Sequence, residues 1–144
     1  MICPRLKKNI PDWKVIIYGE GEDKEKLNSF IFKNGLNDFV EIKPFTSNIQ
    51  SVYLQSAIYV MTSRWEGLPM VLIEAQSCGL PVVAYDCPCG PSDVIVDNKN
   101  GFLCNFGDVN TFVAKITELA NNQSLLQEMS KNSVELSKRY STQV

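Results

Sequence analysis

Ser63-Arg-Trp-Glu-Gly-Leu-Pro-Met-Val-Leu-Ile-Glu-Ala-Gln-Ser-Cys-Gly-Leu-Pro-Val-Val-Ala-Tyr85 is the stretch from which the rest of this chain is read. The apolar run 57–61 leads into it as a buried strand. A polar turn with Gly67 follows, then a helix opened by Pro69 and stopped at Gly79. Pro81 introduces a second apolar strand, Val82 to Tyr85. Proline just inside a helix start and glycine just past its end is the favoured asymmetry. The order strand, turn, helix, strand makes one βαβ unit. Two carboxylates stand around the helix start, Glu66 in the turn and Glu74 on the helix.

The first turn of a helix carries unpaired N–H groups and the positive end of the dipole, a ready site for phosphate. The N–H groups of Gly67, Leu68 and Met70 are the candidates; Pro69 has none, at a position where none is missed. Gly67 lets a ligand approach the backbone. At about 1.5 Å rise per residue, Glu66 and Glu74 would stand on the order of 10 Å apart, one to either side of the anion. Carboxylates beside a phosphate repel it, so they suit hydroxyl groups flanking it. A diphosphate with a sugar at each end meets that requirement. The plain alternative stands beside it: the dipole alone favours Glu at a helix start, and Glu74 is then a solvated residue. Val71, Leu72, Ile73 and Ala75 argue for a helix that is apolar nearly all round and buried, where a lone Glu wants a partner or ligand.

Working outward, residues 1–9 read as the end of a helix before Pro11, and Val15 to Tyr18 as a buried strand. Gly19-Glu-Gly21 follows at its carboxyl end, where open α/β sheets bind ligands, although a lone G-x-G is weak evidence. Residues 22–34 make a charged helix with Leu27, Phe30 and Ile31 as its apolar face and Gly35 as its stop. Phe39 to Ile42 is a third strand, ended by Pro44 and Phe45; Phe45 is either core or a neighbour for a flat ring. Residues 46–48 offer caps for a short helix through Leu54. Beyond the central unit, the turn-rich loop 86–92 precedes a short helix, 93–96, capped by Ser92. After a turn at 98–101 and a strand at 102–104, two amphipathic helices close the chain. One spans 109–120 with Phe112, Ile116 and Leu119 inward. The other runs to about Tyr140 with Leu125, Met129, Val134 and Leu136 inward. Strands alternating with helices predict one α/β domain, a Rossmann-like parallel sheet with helices on both faces.

The 144 residues suffice for one core. A net charge of −2 gives no general attraction to nucleic acid or anionic lipid. No apolar run has the length of a membrane span, and the N-terminus lacks a signal-peptide core, so the cytoplasm is the expected compartment. The five cysteines have no framework spacing and read as reduced thiols. The chain has no histidine, which excludes Ser-His, Cys-His and histidine-base chemistry within it and leaves no zinc set.

The E-x7-E spacing of Glu66 and Glu74, with the residues between and around them, resembles the donor-binding motif of retaining glycosyltransferases with the GT-B fold, group-1 or family-4 type. The resemblance continues through residues 13–27 and through Cys89-Gly-Pro-Ser-Asp-Val-Ile-Val-Asp-Asn-Lys-Asn-Gly-Phe-Leu103, covering nearly the whole chain. It implies a C-terminal, donor-binding half of a GT-B fold with its first strand missing and the acceptor domain absent. The implied function is retaining transfer from a UDP- or GDP-sugar, without a metal, to a polysaccharide or lipid-linked acceptor held by an N-terminal domain. Glu66 would be the catalytic residue and contact donor-sugar hydroxyls, Glu74 would hold ribose hydroxyls, and Gly67, Leu68, Pro69 and Met70, with Ser63 beside them, would hold the diphosphate or sugar. Gly19 and Gly21 would line the phosphate side, and Phe45 the base. The alternatives are a donor-binding module inactive by itself, and a related GT-B epimerase or phosphorylase; those enzymes lack the Glu-Gly-Leu-Pro start at this spacing. The departures are Ile58 for a usual Asp, Asp93 for a usual Glu, and Lys43-Pro44 for a usual glycine. Membrane association would be at most peripheral, at the inner face. Without its first strand, Val15–Tyr18 would pair directly with Tyr59–Met61 or apolar edges would be exposed, so self-association or a rearranged sheet is expected.

Overall fold

The computed structural model describes residues 1–143, with side chains described as far as Ser141. Two compact units divide the chain, Met1–Asn48 and the residues from Ile49 on. Both alternate parallel strands with helices.

The first unit runs α1 (Ile2–Asn9), β1 (Val15–Tyr18), α2 (Lys24–Lys33) and β2 (Val40–Lys43). β1 and β2 pair in parallel, with Val15 opposite Val40 and Tyr18 opposite Lys43. Gly35 ends α2 in the left-handed region, φ +64. Its N–H donates to Phe32 O and that of Leu36 returns to Ile31 O at 2.8 Å, which satisfies the last carbonyls. Leu6, Ile10, Ile31, Leu36, Phe39 and Val40 are buried. β1 is not the buried strand expected: Ile16 is 44% and Ile17 36% exposed. A parallel strand is buried when both faces of its sheet are covered, and the two-stranded β1–β2 pair leaves Ile16 and Ile17 uncovered. Of the α2 face, Leu27 is also exposed.

The second unit runs α3 (Ile49–Leu54), β3 (Tyr59–Met61), α4 (Met70–Ser77), β4 (Val82–Asp86), α5 (Pro91–Val94), β5 (Gly101–Asn105), α6 (Val109–Asn121) and α7 (Gln123–Ser137). A 3₁₀ segment, Lys138–Gln143, takes the place of the last turns expected of α7. The sheet is parallel in the order β3-β4-β5. β4 is central, and Val82, Val83 and Ala84 are wholly buried, as a continuous apolar run in a parallel sheet should be. Gly101 faces Val82, where a Cβ would collide with the Val82 carbonyl. Met61, Leu72, Ile73, Val82, Ala84, Val94 and Ile95 form one core cluster, and α6 adds Phe112, Val113, Ile116 and Leu119. Asp108 caps α6 by accepting from Thr111 N–H at 3.1 Å, and Asn122 caps α7 by accepting from Leu125 N–H at 3.1 Å.

Three local expectations change. Pro69 stands at the N-cap of α4 rather than inside it, φ −80 and ψ 86. α5 starts at Pro91, whose ring presets the first helical residue, and its cap is Gly90 rather than Ser92. On α7, Val134 is exposed and Ser133 and Ser137 are buried beside Met129. Small residues there suit the close packing of α4 on α7: a Cβ on Gly79 would lie 3.1 Å from Ser130 Oγ. Among the described residues β1 pairs with β2 alone and β3 with β4 alone. Ile16 and Ile17 are open in the first unit, and Val60 is open in the second.

Candidate functional site

Ligands of open parallel sheets bind beyond the carboxyl ends of the strands. In the second unit, residues 62–69 leave that end of β3 and enter α4. Ser63 and Glu66 are half-buried, Pro69 is buried, and Gly67, Leu68 and Met70 are exposed. Met70 N–H donates to Leu68 O at 2.9 Å, and the N–H groups of Leu72 and Ile73 donate to Pro69 O. The Met70 amide is thus committed, contrary to expectation. Among the described residues the N–H groups of Gly67, Leu68 and Val71 donate to no protein acceptor. Val71, a β-branched residue in an apolar run, gave no sequence signal of a donor role.

α4 is not buried all round. Leu72, Ile73, Ala75 and Gln76 face inward, while Met70, Val71, Glu74 and Ser77 form an open stripe. Glu74 therefore needs no protein partner to be tolerated, and the burial argument for it falls. Burial of the Tyr59 hydroxyl raises its pKa, and the charges of Glu66 and Glu74 raise it further. Tyr53, edge-on to Tyr59 with ring centroids 5.9 Å apart, is pushed up to about 12, mainly by burial, then by Tyr59, Glu74 and Cys78. Both carboxylates thus lie within electrostatic reach of one phenol at the start of β3.

The loop after β4 meets the same turn. Gly90 is buried, with φ +105, and a Cβ there would lie 2.5 Å from Gly67 O, 3.0 Å from Glu66 Cβ and 3.3 Å from Pro69 Cδ. The Gly90-Pro91 pair signalled only a turn in the sequence; that it abuts residues 66–69 was not legible.

In the first unit, Gly19, Gly21 and Phe45 share one end of the β1–β2 pair. Gly19 N–H donates to Lys43 O at 3.0 Å. Its φ is +146, and a Cβ on either glycine would meet nothing within 4 Å. Phe45 is 76% exposed, so the core alternative for it is excluded. Two shallow grooves lie away from these residues. One of about 480 Å³ runs along α2 between Glu25 and Lys33. The other, of about 400 Å³, lies where α7 meets Cys78, Gly79 and the end of α3. All five cysteines are free. No helix among the described residues is long and apolar enough to cross a membrane.

The fold matches known structures closely. TarM superposes with a TM-score of 0.93 at 36% identity, over 98% of this chain and 28% of TarM. A point mutant of Staphylococcus aureus TarM, solved with fondaparinux, α-GlcNAc-glycerol and UDP, gives 0.94 at 36% identity, over 98% of this chain and 29% of that one. The C-terminal domain of a group 1 glycosyl transferase (LpcC) from Francisella tularensis gives 0.85 at 24% identity, over 95% of this chain and 74% of that one, a likeness of fold. Parallel strands flanked by helices thus make the α/β architecture of the C-terminal domain of GT-B glycosyltransferases. The sequence model of the family described as "Glycosyl transferases group 1" matches residues 2–135, and the chain belongs to that family.

Among its relatives, an uncharacterized glycosyltransferase of Haemophilus influenzae is 37% identical over 94% of this chain and 38% of its own length. The amylovoran biosynthesis glycosyltransferase of Erwinia amylovora is 39% identical over 78% of this chain and 32% of its own. The poly(ribitol-phosphate) α-N-acetylglucosaminyltransferase of Staphylococcus aureus is 39% identical over 90% of this chain and 27% of its own. The chain therefore spans between about a quarter and two fifths of these relatives.

Proposed function

We propose that this chain is the donor-binding part of a glycosyltransferase that takes a nucleotide-diphosphate sugar and transfers the glycosyl group with retention to a polysaccharide or lipid-linked acceptor. The observation that carries the reading is the junction of residues 66–71: the N–H groups of Gly67, Leu68 and Val71 donate to no protein acceptor among the described residues, and Glu66 and Glu74 bracket them in the chain. An amide-rich helix start meets the charge that develops on a departing diphosphate, and it needs no metal for that purpose. Glu66 contacts the donor sugar, Glu74 the ribose, and Gly67, Leu68 and Val71 the diphosphate. Ser63 and Pro69 shape the turn, and the exposed side chain of Met70 borders the donor. Within the first unit, Gly19 and Gly21 leave backbone open and Phe45 leaves its ring exposed at one end of the β1–β2 pair. The solved TarM complex with UDP favours UDP over GDP as the carrier.

The acceptor is held by a part of the protein outside these residues, at the cytoplasmic side of a membrane or free of it, and the isolated chain binds donor and transfers nothing. Titrating the chain with UDP, GDP and ADP, with Glu74→Ala as the control, tests this. The expected result is UDP binding that Glu74→Ala weakens by about tenfold, the loss of one charge-assisted hydrogen bond. Absence of binding to all three nucleotides, or a Glu74→Ala variant that binds UDP like the native chain, contradicts it.

A further inference from the structure

We propose that Gly90 is a positioning residue for the donor turn: the space left by its missing side chain holds the Gly67 carbonyl, and so fixes where the N–H groups of Gly67 and Leu68 stand. The proposal rests on the reading of that turn as the diphosphate site. Three atoms from three residues of the turn, Gly67 O, Glu66 Cβ and Pro69 Cδ, all lie within 3.3 Å of the position a Cβ would take. A contact with three separate parts of one turn sets its place as well as its neighbour's.

Gly90 is itself held from behind. Its N–H donates to Asp93 Oδ2 at 3.3 Å. The Asp93 carbonyl accepts from Tyr140 Oη at 2.6 Å and from Arg139 Nη2 at 2.9 Å, and Arg139 also donates to Val94 O. Val94 is wholly buried in the core cluster. The turn 66–69 is anchored at its end by buried Pro69, whose carbonyl accepts from Leu72 and Ile73. Gly67 and Leu68, by contrast, are exposed, and the N–H groups of Glu66, Gly67 and Leu68 donate to no protein acceptor among the described residues, so the middle of the turn has little else to fix it. Backbone strain marks the same place: Cys89, which is not a glycine, has φ 61, and strained backbone persists where its surroundings over-determine it.

A glycine required only for its φ would behave differently from one required for the space beside it, and Gly107 separates the two. It lies in the same unit with φ +82, and a Cβ there would meet nothing within 4 Å. The experiment compares Gly90→Ala, Gly107→Ala and the native chain by UDP affinity, by the amide ¹H–¹⁵N shifts of Gly67 and Leu68 without ligand, and by Tm. The expected result is that Gly90→Ala moves both amide signals and weakens UDP binding at least about tenfold, since displacements near 1 Å have effects of that size or larger. Gly107→Ala should lower Tm, leave those signals in place and keep UDP affinity within about twofold, well inside one tenfold step. Should Gly90→Ala not fold, Asp93→Asn, which weakens the hold on Gly90 from behind, is expected to move the same signals and reduce UDP affinity about two- to fivefold, with Asp93→Glu closer to native.

Unmoved amides and native UDP affinity in folded Gly90→Ala overturn the proposal, as does equal loss in Gly107→Ala. In the fallback, native signals in Asp93→Asn overturn it. If the native chain binds no nucleotide, the donor reading fails, and the amide shifts in the free chain still decide whether Gly90 sets the turn.

Discussion

The glycines at the strand ends of the two units do opposite work. At the end of β1, Gly19 and Gly21 border empty space. Around β4, Gly101 and Gly90 are pressed against carbonyl oxygens of Val82 and Gly67. The first pair leaves room, and the second pair is where the protein's own backbone fills it. The strands differ in the same sense: β4 is buried along Val82–Tyr85, while β1 leaves Ile16 and Ile17 open. Most of the buried apolar residues belong to the second unit.

The largest expected effect follows from Gly101. Gly101→Ala puts a methyl group into the Val82 carbonyl and should destabilise the second unit by more than about 3 kcal/mol, whereas Gly21→Ala should change stability by less than about 0.5 kcal/mol. Urea unfolding of the two variants checks this; similar losses would erase the contrast. Leu72, wholly buried in the core, should lose about 2–5 kcal/mol on substitution by alanine. Ile16→Ala, at an open strand, should lose less than about 1 kcal/mol.

The two polar side chains of α4 sharpen the comparison within one helix. Glu74 is open to solvent, but Gln76 is wholly buried, with neither amide atom hydrogen-bonded among the described residues, and nothing in the structure accounts for it. A buried amide without partners is unfavourable by about 1–3 kcal/mol, so Gln76→Met should raise Tm; a fall would show that the amide is engaged.

The smallest effect is electrostatic. Hydrogen bonds from the Thr111 hydroxyl and N–H hold the Asp108 carboxyl below its ordinary value of 3.8. A depressed carboxyl adds stability above its unfolded-state value, and that stability is lost as pH falls through the lower folded-state value. Asp108→Asn should therefore flatten the stability curve below pH 3.8, while leaving Asn122, the matching cap of α7, to act as before.

Much of this was legible in the residues. Gly35 and Gly79 end α2 and α4 as read, and their N–H groups close the terminal turns. The continuous apolar run 82–85 gave the central strand. Exposure was not legible where it depends on neighbours: Val15–Tyr18 and Val82–Tyr85 are equally apolar, yet only β4 is paired on both edges. The same limit applies at the site. Spacing singles out Glu66 and Glu74 as candidates, but α4 reads as buried all round because a run such as Val71-Leu-Ile does not say which side faces solvent. The contact of Gly90 is not legible in the sequence because it is made with a residue 23 positions earlier, between loops that local pattern cannot join.

The central claim is that the start of α4, between Glu66 and Glu74, is where a nucleotide-diphosphate sugar rests. Titration of ¹⁵N-labelled chain with UDP-N-acetylglucosamine, followed residue by residue, tests it most directly. Shifts led by Gly67, Leu68 and Val71 and abolished in Glu66→Ala/Glu74→Ala are the predicted result. Shifts confined to the groove along α2 or to that beside α7, with residues 66–74 silent, would contradict it.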